Sequence, residues 1–228
     1  MDLFAEWTRV ALAVGAKGDI AGAGARLLGA YGSPERAYHD LRHLTEVLER
    51  VDELAAAASD PDLVRLAAWF HDAVYDTGAD HRAGTEAAAD AGESDAGESA
   101  AGNEELSAQL AERELLALRV DPEAAEEVAR LVRLTAEHDP DPFDANGCVL
   151  CDADLAVLAR DPAGYADYVT AVRREYAHVP DELFRRGRAA ILRGLLAQPV
   201  LFRTPLAHDR WAPTARANVT AELRDLEP

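Results

Sequence analysis

The chain has 228 residues, 49% of them hydrophobic and only 6% aromatic, which is enough apolar material for a substantial core and too much for a disordered polymer. A formal net charge of −19 excludes nonspecific binding to a nucleic-acid polymer or an anionic membrane, since both need a cationic surface. It leaves room for a phosphorylated small molecule, because a bound cation reverses the local field. All basic residues but Lys17 are arginines, as a GC-rich bacterial genome would give. No apolar run reaches the roughly 18 residues of a membrane span, and the first residues lack the basic and apolar regions of a signal peptide. A cytoplasmic protein is expected.

Helical periodicity runs from end to end. Leu3, Trp7, Val10 and Val14 share one face and predict a first helix, and residues 21–31 a second. Gly29, Gly32, Ser33 and Pro34 break the chain, with Ser33 placed to cap a helix whose first residue is Pro34. Residues 35–58 form one long helix or two abutting ones. Asp60 and Pro61 start the next, with Leu63, Leu66, Ala67, Phe70 and Val74 as its buried stripe, ending near Thr77 and Gly78. Residues 79–102 hold no Leu, Ile, Val or aromatic side chain and are dense in Ala, Gly, Ser and acid. Such a stretch cannot offset its ordering entropy, so it is expected to be a flexible, disordered insertion. Its near-repeat AGESDAGESAAG points to expansion by slippage.

Helices resume over 103–119, 122–138, 147–160, 162–176, 181–198 and 213–226. Asp121-Pro122 and Asp161-Pro162 each read as an N-cap followed by proline in the first turn. No run alternates as a half-buried strand does. The expected fold is a single all-α domain over 1–228. Cys148 and Cys151 form an isolated CxxC that cannot complete a four-ligand zinc site, and they read as small core residues.

Three predicted helices carry His43, the His71-Asp72 pair, and the Asp152/Asp154 pair. His43 precedes Val47 by four and Val51 by eight, His71 follows Ala67 by four, and Asp152 follows Cys148 by four, so all point inward. Polar groups buried without partners are costly, and one shared divalent cation would satisfy them together. Imidazole with carboxylate suits Mn, Fe, Zn or Mg rather than a thiolate-loving metal, and such a set leaves positions for water and substrate. An isolated histidine on an apolar face is more often a hydrogen-bonded core residue than a ligand, so spacing alone does not separate the two readings.

Further motifs do. The segment WFHDAVYD (69–76) resembles the central motif of the HD superfamily of metal-dependent phosphohydrolases. More narrowly, the chain resembles a bacterial branch of predicted HD phosphohydrolases. Its opening Arg-x-Tyr-His-x-Leu-x-His pattern appears as Arg36, Tyr38, His39, Leu41 and His43, and its Asn-Glu-x-x-Ser-Ala as Asn103, Glu104, Ser107 and Ala108. Thr135 and His138 match Thr-x-x-His, and Asp152, Asp154 and Leu155 match Asp-x-Asp-Leu. REYAHVP (174–180), Gly187-Arg188 and ARANV (215–219) follow in the family's order. The departure is the segment 79–102, which separates Asn103 and Glu104 from the His-Asp motif. A long surface loop adds little closure entropy, so it should loop out and leave them in place.

The resemblance implies an HD-like helical bundle that binds a divalent ion (Mn, Mg, Fe, Co, Ni or Zn) through His43, His71, Asp72 and a distant aspartate. Asp152, preceded by the apolar Leu150 and Cys151, is preferred for that place, with Asp154 then orienting an imidazole; Asp154 as the ligand is the alternative, and spacing does not decide between them. His39 is expected to donate to the phosphate or a ligand carboxylate, to chelate with His43, or to cap the cluster. His138 is expected beside the ligands or on the phosphate, with a second metal as the alternative. Glu104 is the candidate general base, and Arg36 and Arg188 are candidate phosphate clamps. The implied activity is hydrolysis of a small phosphorylated metabolite, with a nucleotide the foremost candidate. The rival is a non-catalytic helical module that binds a nucleotide or protein and keeps the metal for structure. A regulatory phosphodiesterase is disfavoured, since 228 residues leave no room for an attached sensor domain.

Overall fold

The computed structural model describes residues 1–78 and 95–227, and among them the chain is all-helical. Ten α-helices follow in order: α1 (Leu3–Ala13), α2 (Ile20–Tyr31), α3 (Leu41–Leu54), α4 (Pro61–Phe70), α5 (Asp95–Ala117), α6 (Pro122–Leu134), α7 (Ala145–Leu155), α8 (Pro162–Glu175), α9 (Asp181–Ala197) and α10 (Pro205–Leu226). Short 3-10 turns extend α3 and α7. No described helix is long and apolar enough to cross a membrane.

Aspartate starts most of these helices. Asp2, Asp19, Asp40, Asp60, Asp121, Asp144 and Asp161 each accept backbone N–H groups of the first turn. A carboxylate there satisfies orphan donors and meets the positive end of the helix dipole. Part of the acidic excess is therefore built into helix starts.

Helix α4 sits at the centre, packed against α1, α3, α5, α6 and α7. It is short and is buried all round over its second half, with Val64, Leu66, Ala67, Ala68, Trp69 and Phe70 all buried. The Trp7 ring of α1 meets Trp69 edge-on at 5.4 Å and Phe70 at 6.0 Å, while its indole N–H donates to Ile20 O at 2.7 Å. Gly24 lets α2 lie against that indole, because a Cβ there would come within 2.4 Å of the Trp7 ring. Helix α3 buries Leu44, Val47, Leu48, Val51 and Leu54 on one face, each contributing about 1.5–3 kcal/mol of hydrophobic burial. His43 shares that face.

Several boundaries differ from the periodicity. Residues 33–40 form turns instead of the Ser33-capped helix, and α3 starts only at Leu41 behind Asp40. The reason is long-range: the N–H groups of Ala37, Tyr38 and His39 donate to the Glu175 carboxylate, which holds them out of a helical ladder. Helix α4 stops at Phe70, not near Gly78, with His71 as its C-cap. Helix α10 starts at Pro205 behind the Thr204 cap, so Pro213 lies inside it instead of opening it. The insertion expected over 79–102 falls largely outside the described residues, and the helix carrying Asn103 begins earlier than expected, at Asp95.

Candidate metal centre

The site forms where the start of α3, the end of α4 and the end of α7 meet. His43 comes from the first turn of α3, His71 caps α4, Asp72 follows in the turn, and Asp154 lies one residue before the end of α7. His43 and His71 are buried, with their Nε2 atoms 3.1 Å apart. Asp72 Oδ2 lies 3.1 Å from His71 Nε2 and 3.3 Å from His43 Nε2. Asp154 Oδ1 lies 3.3 Å and 3.5 Å from the same nitrogens. One donor atom each from His43, His71 and Asp154 falls within 4.8 Å of the others.

These separations suit a shared cation. Neighbouring donors around an octahedral ion with bonds of about 2.2 Å sit about 3.1 Å apart. The ring is oriented for it: His71 Nδ1 lies 2.8 Å from Ala68 O and donates there, which leaves Nε2 as the atom turned to the cluster. The electrostatics agree. Burial alone would raise the carboxyls of Asp72 and Asp154, yet the imidazoles facing them hold both well below the usual range. Burial likewise opposes charge on His43, but hydrogen bonds with Asp154 and Asp72 push it up to about 9. His71 is raised in the same way, with Asp72 as the main opposing charge. The carboxylates demand positive charge at this point, and a divalent ion held by these residues would supply it in place of the imidazole protons.

The preference for Asp152 over Asp154 is corrected. Asp152 is buried facing the other way, with Oδ1 accepting from Arg203 N at 2.8 Å and Oδ2 from Thr204 N at 2.7 Å. It ties the segment before α10 to α7, while Asp154, two residues on, turns its carboxylate to the imidazoles. His138 Nε2 bonds Asp154 Oδ2 at 2.8 Å, so this histidine orients a cluster carboxylate.

Both expected phosphate clamps are corrected as well. Arg36 Nη1 donates to Asp72 O at 2.6 Å and His39 O at 3.0 Å, and Nη2 to Ala73 O at 3.1 Å. Its guanidinium also lies over the Tyr31 and Tyr75 rings, and together these contacts fix the backbone of the His-Asp turn. Arg188 is paired with the buried Glu222 at 2.8 Å and 3.2 Å and lies over Tyr168, inside the contact of α8, α9 and α10. Both guanidinium groups are engaged by protein partners.

Asn103 and Glu104 stand beside the cluster despite the long segment before them. Asn103 exchanges two hydrogen bonds with the backbone of Asp76, at 3.1 Å and 3.0 Å, and Ser107 Oγ does the same with Val74, at 3.0 Å and 3.1 Å. These two side chains, one turn apart on α5, pin the chain that leaves the His-Asp turn. Glu104 sits between them with Oε2 buried and without a partner among the described residues. Burial, reinforced by the nearby charges of Asp72 and Asp154, pushes its carboxyl up to about 7.

His39 lies at the edge. Its Nδ1 meets the Glu175 carboxylate, its ring stacks on Tyr75 at 4.0 Å, and its centroid is 5.5 Å from that of His43. Glu175 was not singled out by sequence, although Tyr168, Val172 and Glu175 recur on the buried face of α8 and an acid there calls for a partner. Tyr31 was also missed; its hydroxyl donates to Trp69 O and accepts from Asp72 N, both at 3.3 Å.

The geometry has a counterpart in family comparison. The HD domain model matches residues 40–156, just over half of the chain, and the protein belongs to the HD domain family. HD domains bind divalent metals, and the family is generally one of metal-dependent hydrolases. No curated protein and no solved structure matches the chain.

Proposed function

We propose that the protein is a metal-dependent phosphohydrolase acting on a small phosphorylated metabolite, with a nucleotide the foremost candidate. The observation that carries this reading is the convergence of His43, His71 and Asp154 donor atoms within 4.8 Å, inside an HD domain. With Asp72 they would hold the ion. Such an ion polarises a phosphoryl oxygen and makes water nucleophilic near neutral pH.

The remaining chemistry falls to this chain's own side chains. Glu104, with a carboxyl at about 7, is matched to accept a proton from the attacking water, since a base works best when its pKa lies near the operating pH. Its unpartnered Oε2 is the accepting atom. His138 holds Asp154 in place through the 2.8 Å hydrogen bond, and Arg36 holds the His-Asp turn, so both act by fixing geometry.

The test is a panel of phosphate monoesters, anhydrides and diesters, run on metal-stripped protein with Mn²⁺, Mg²⁺, Fe²⁺, Co²⁺, Ni²⁺ or Zn²⁺ restored one at a time. At least one pair should release phosphate or a phosphate ester, and His71→Ala and Asp72→Ala should abolish turnover with helicity retained. A metal-replete protein inert towards the panel that binds one ester tightly would replace the hydrolase reading with that of a binding module.

A further inference from the structure

We infer that the outward face of α9 is a docking surface for a second copy of this chain, the two α9 helices packing antiparallel across Gly187.

Only Ala189 and Leu192 of this 17-residue helix are buried. Together with Arg185, which donates to Leu226 O at 2.7 Å, and Arg188, paired with Glu222, they mark the side turned to α10. At about 100° per residue, Leu183, Gly187, Ile191 and Gly194 point the opposite way, with Ala190 and Ala197 beside them. Leu183 is 51% exposed and Ile191 56%, and Ala190, Gly194 and Ala197 are exposed as well. The half-buried Phe184 and Leu195 border this strip on one flank, while Glu182, Arg186 and Arg193 lie along the other. The outward half of the helix therefore carries no charged side chain, in a chain where 29% of residues are charged. A solvated helix face is lined with polar and charged groups, so an uncharged strip along its whole length marks a contact.

The spacing says what kind of element covers it. Leu183, Gly187, Ala190, Gly194 and Ala197 follow one another at intervals of four, three, four and three residues, the repeat that two packed helices share. A Cβ on Gly194 would meet nothing within 4 Å, so no described part of the chain requires a glycine there. Glycine inside a helix is unfavourable relative to alanine, and the close approach of another backbone is what it permits. Residues between 78 and 95 hold no Leu, Ile, Val or aromatic side chain, so that segment has nothing apolar to lay on the strip.

The charges select a second copy and its direction. Two parallel α9 helices would set Glu182 against Glu182 and Arg193 against Arg193. Antiparallel about Gly187, Glu182 of each copy comes level with Arg193 of the other, Phe184 with Ile191, and Gly194 with the first turn of the facing helix. Each contact is then made twice, as a two-fold interface requires, and the helix dipoles oppose. Arg193 is free to join in: its 3.0 Å pair with Glu227 is exposed on both sides, at 59% and 48%, and such pairs hold weakly.

A seam about 26 Å long lies at the small end of specific interfaces, so a Kd on the order of 10 µM is expected. Sedimentation velocity of the full chain, from well below to well above that concentration, should move from 24.5 kDa to twice that mass. Ile191→Glu changes a side chain exposed in the single copy, so the helicity and Tm of the monomer should hold while Kd rises about 100-fold. Glu182→Arg and Arg193→Glu should each weaken the dimer about 10-fold, and the two combined should restore it to within about 3-fold of wild type. A wild type that stays at 24.5 kDa throughout, or a dimer indifferent to Ile191→Glu, would overturn the docking surface. A double variant no tighter than the single ones would overturn the antiparallel pairing.

Discussion

Alanine at Asp152 and at Asp154, one at a time, should show which of the two carboxylates the metal needs. Asp152 is 1% exposed, and its oxygens accept from Arg203 N at 2.8 Å and Thr204 N at 2.7 Å. A hydrogen bond to a charged group contributes about 1.5–3 kcal/mol, and its removal here leaves two backbone donors without an acceptor. Burial opposes the carboxylate and pushes its pKa up, so the lower end of the combined range applies, about 3 kcal/mol. For a chain of this length each kcal/mol lowers Tm by about 2–4 °C, so Asp152→Ala should melt roughly 10 °C below wild type. Asp154 meets imidazoles rather than backbone, so Asp154→Ala is told from Asp152→Ala by its response to the ion, not by its metal-free Tm. Its loss appears with the ion. Removing even a partner of a ligand costs 10–100-fold in affinity, so removing this carboxylate should cost at least about 100-fold. Scanning calorimetry with and without Mn²⁺ reads both quantities. An ion at about 100 times its Kd adds about 2.7 kcal/mol, so wild type and Asp152→Ala should both gain several degrees and Asp154→Ala almost none. An Asp152→Ala protein that keeps its Tm and loses the ion, or an Asp154→Ala protein that keeps the ion, would refute the assignment.

Three further outcomes follow from the same geometry. Because His43 in the metal-free cluster stays protonated up to about 9, the ion must displace that proton; Mn²⁺ affinity measured by calorimetry should tighten as pH rises from 6 towards 9, and a flat profile would remove the shared site. Glu104 has a carboxyl raised to about 7 and acts ionised, so kcat should rise with pH through about 7; Glu104→Gln should lower kcat about 100-fold and abolish that limb, and a variant retaining it would acquit this residue. Glu175 is held ionised at about 2 against an ordinary 4.5, chiefly because the bond and charge of His39 outweigh burial. A depressed carboxyl stabilises the fold above its unfolded value, and that contribution is lost as pH falls from about 4.5 to about 2. It amounts to ~3 kcal/mol, so Tm should fall more steeply across that window in wild type than in Glu175→Gln, and parallel curves would contradict a buried, ionised Glu175.

The helices were legible because each has a local cause. Asp60, Asp121 and Asp161 before proline mark helix starts by chemistry readable three residues at a time, and the α3 stripe from Leu44 to Leu54 has a clear period. What was not legible depends on distant partners. Residues 33–40 read as a helix start until Glu175, some 136 residues away, takes their N–H groups. Asp152 and Asp154 sit on one short helix buried nearly all round, where an apolar neighbour marks no direction. Distant partners tell them apart: Arg203 and Thr204 take one carboxylate, and His138 takes the other. Arg36 and Arg188 were chosen for charge, but their partners are backbone carbonyls and Glu222, and local sequence does not reveal what an arginine will meet.

The proposed chemistry depends on one divalent ion among His43, His71, Asp72 and Asp154. Anomalous diffraction at the manganese edge, from crystals grown with Mn²⁺, tests it most directly. A single peak within about 2.5 Å of both Nε2 atoms and of an oxygen from each of the two carboxylates is the result this account predicts. Manganese bound elsewhere, with the two Nε2 atoms still facing each other at 3.1 Å, would contradict it.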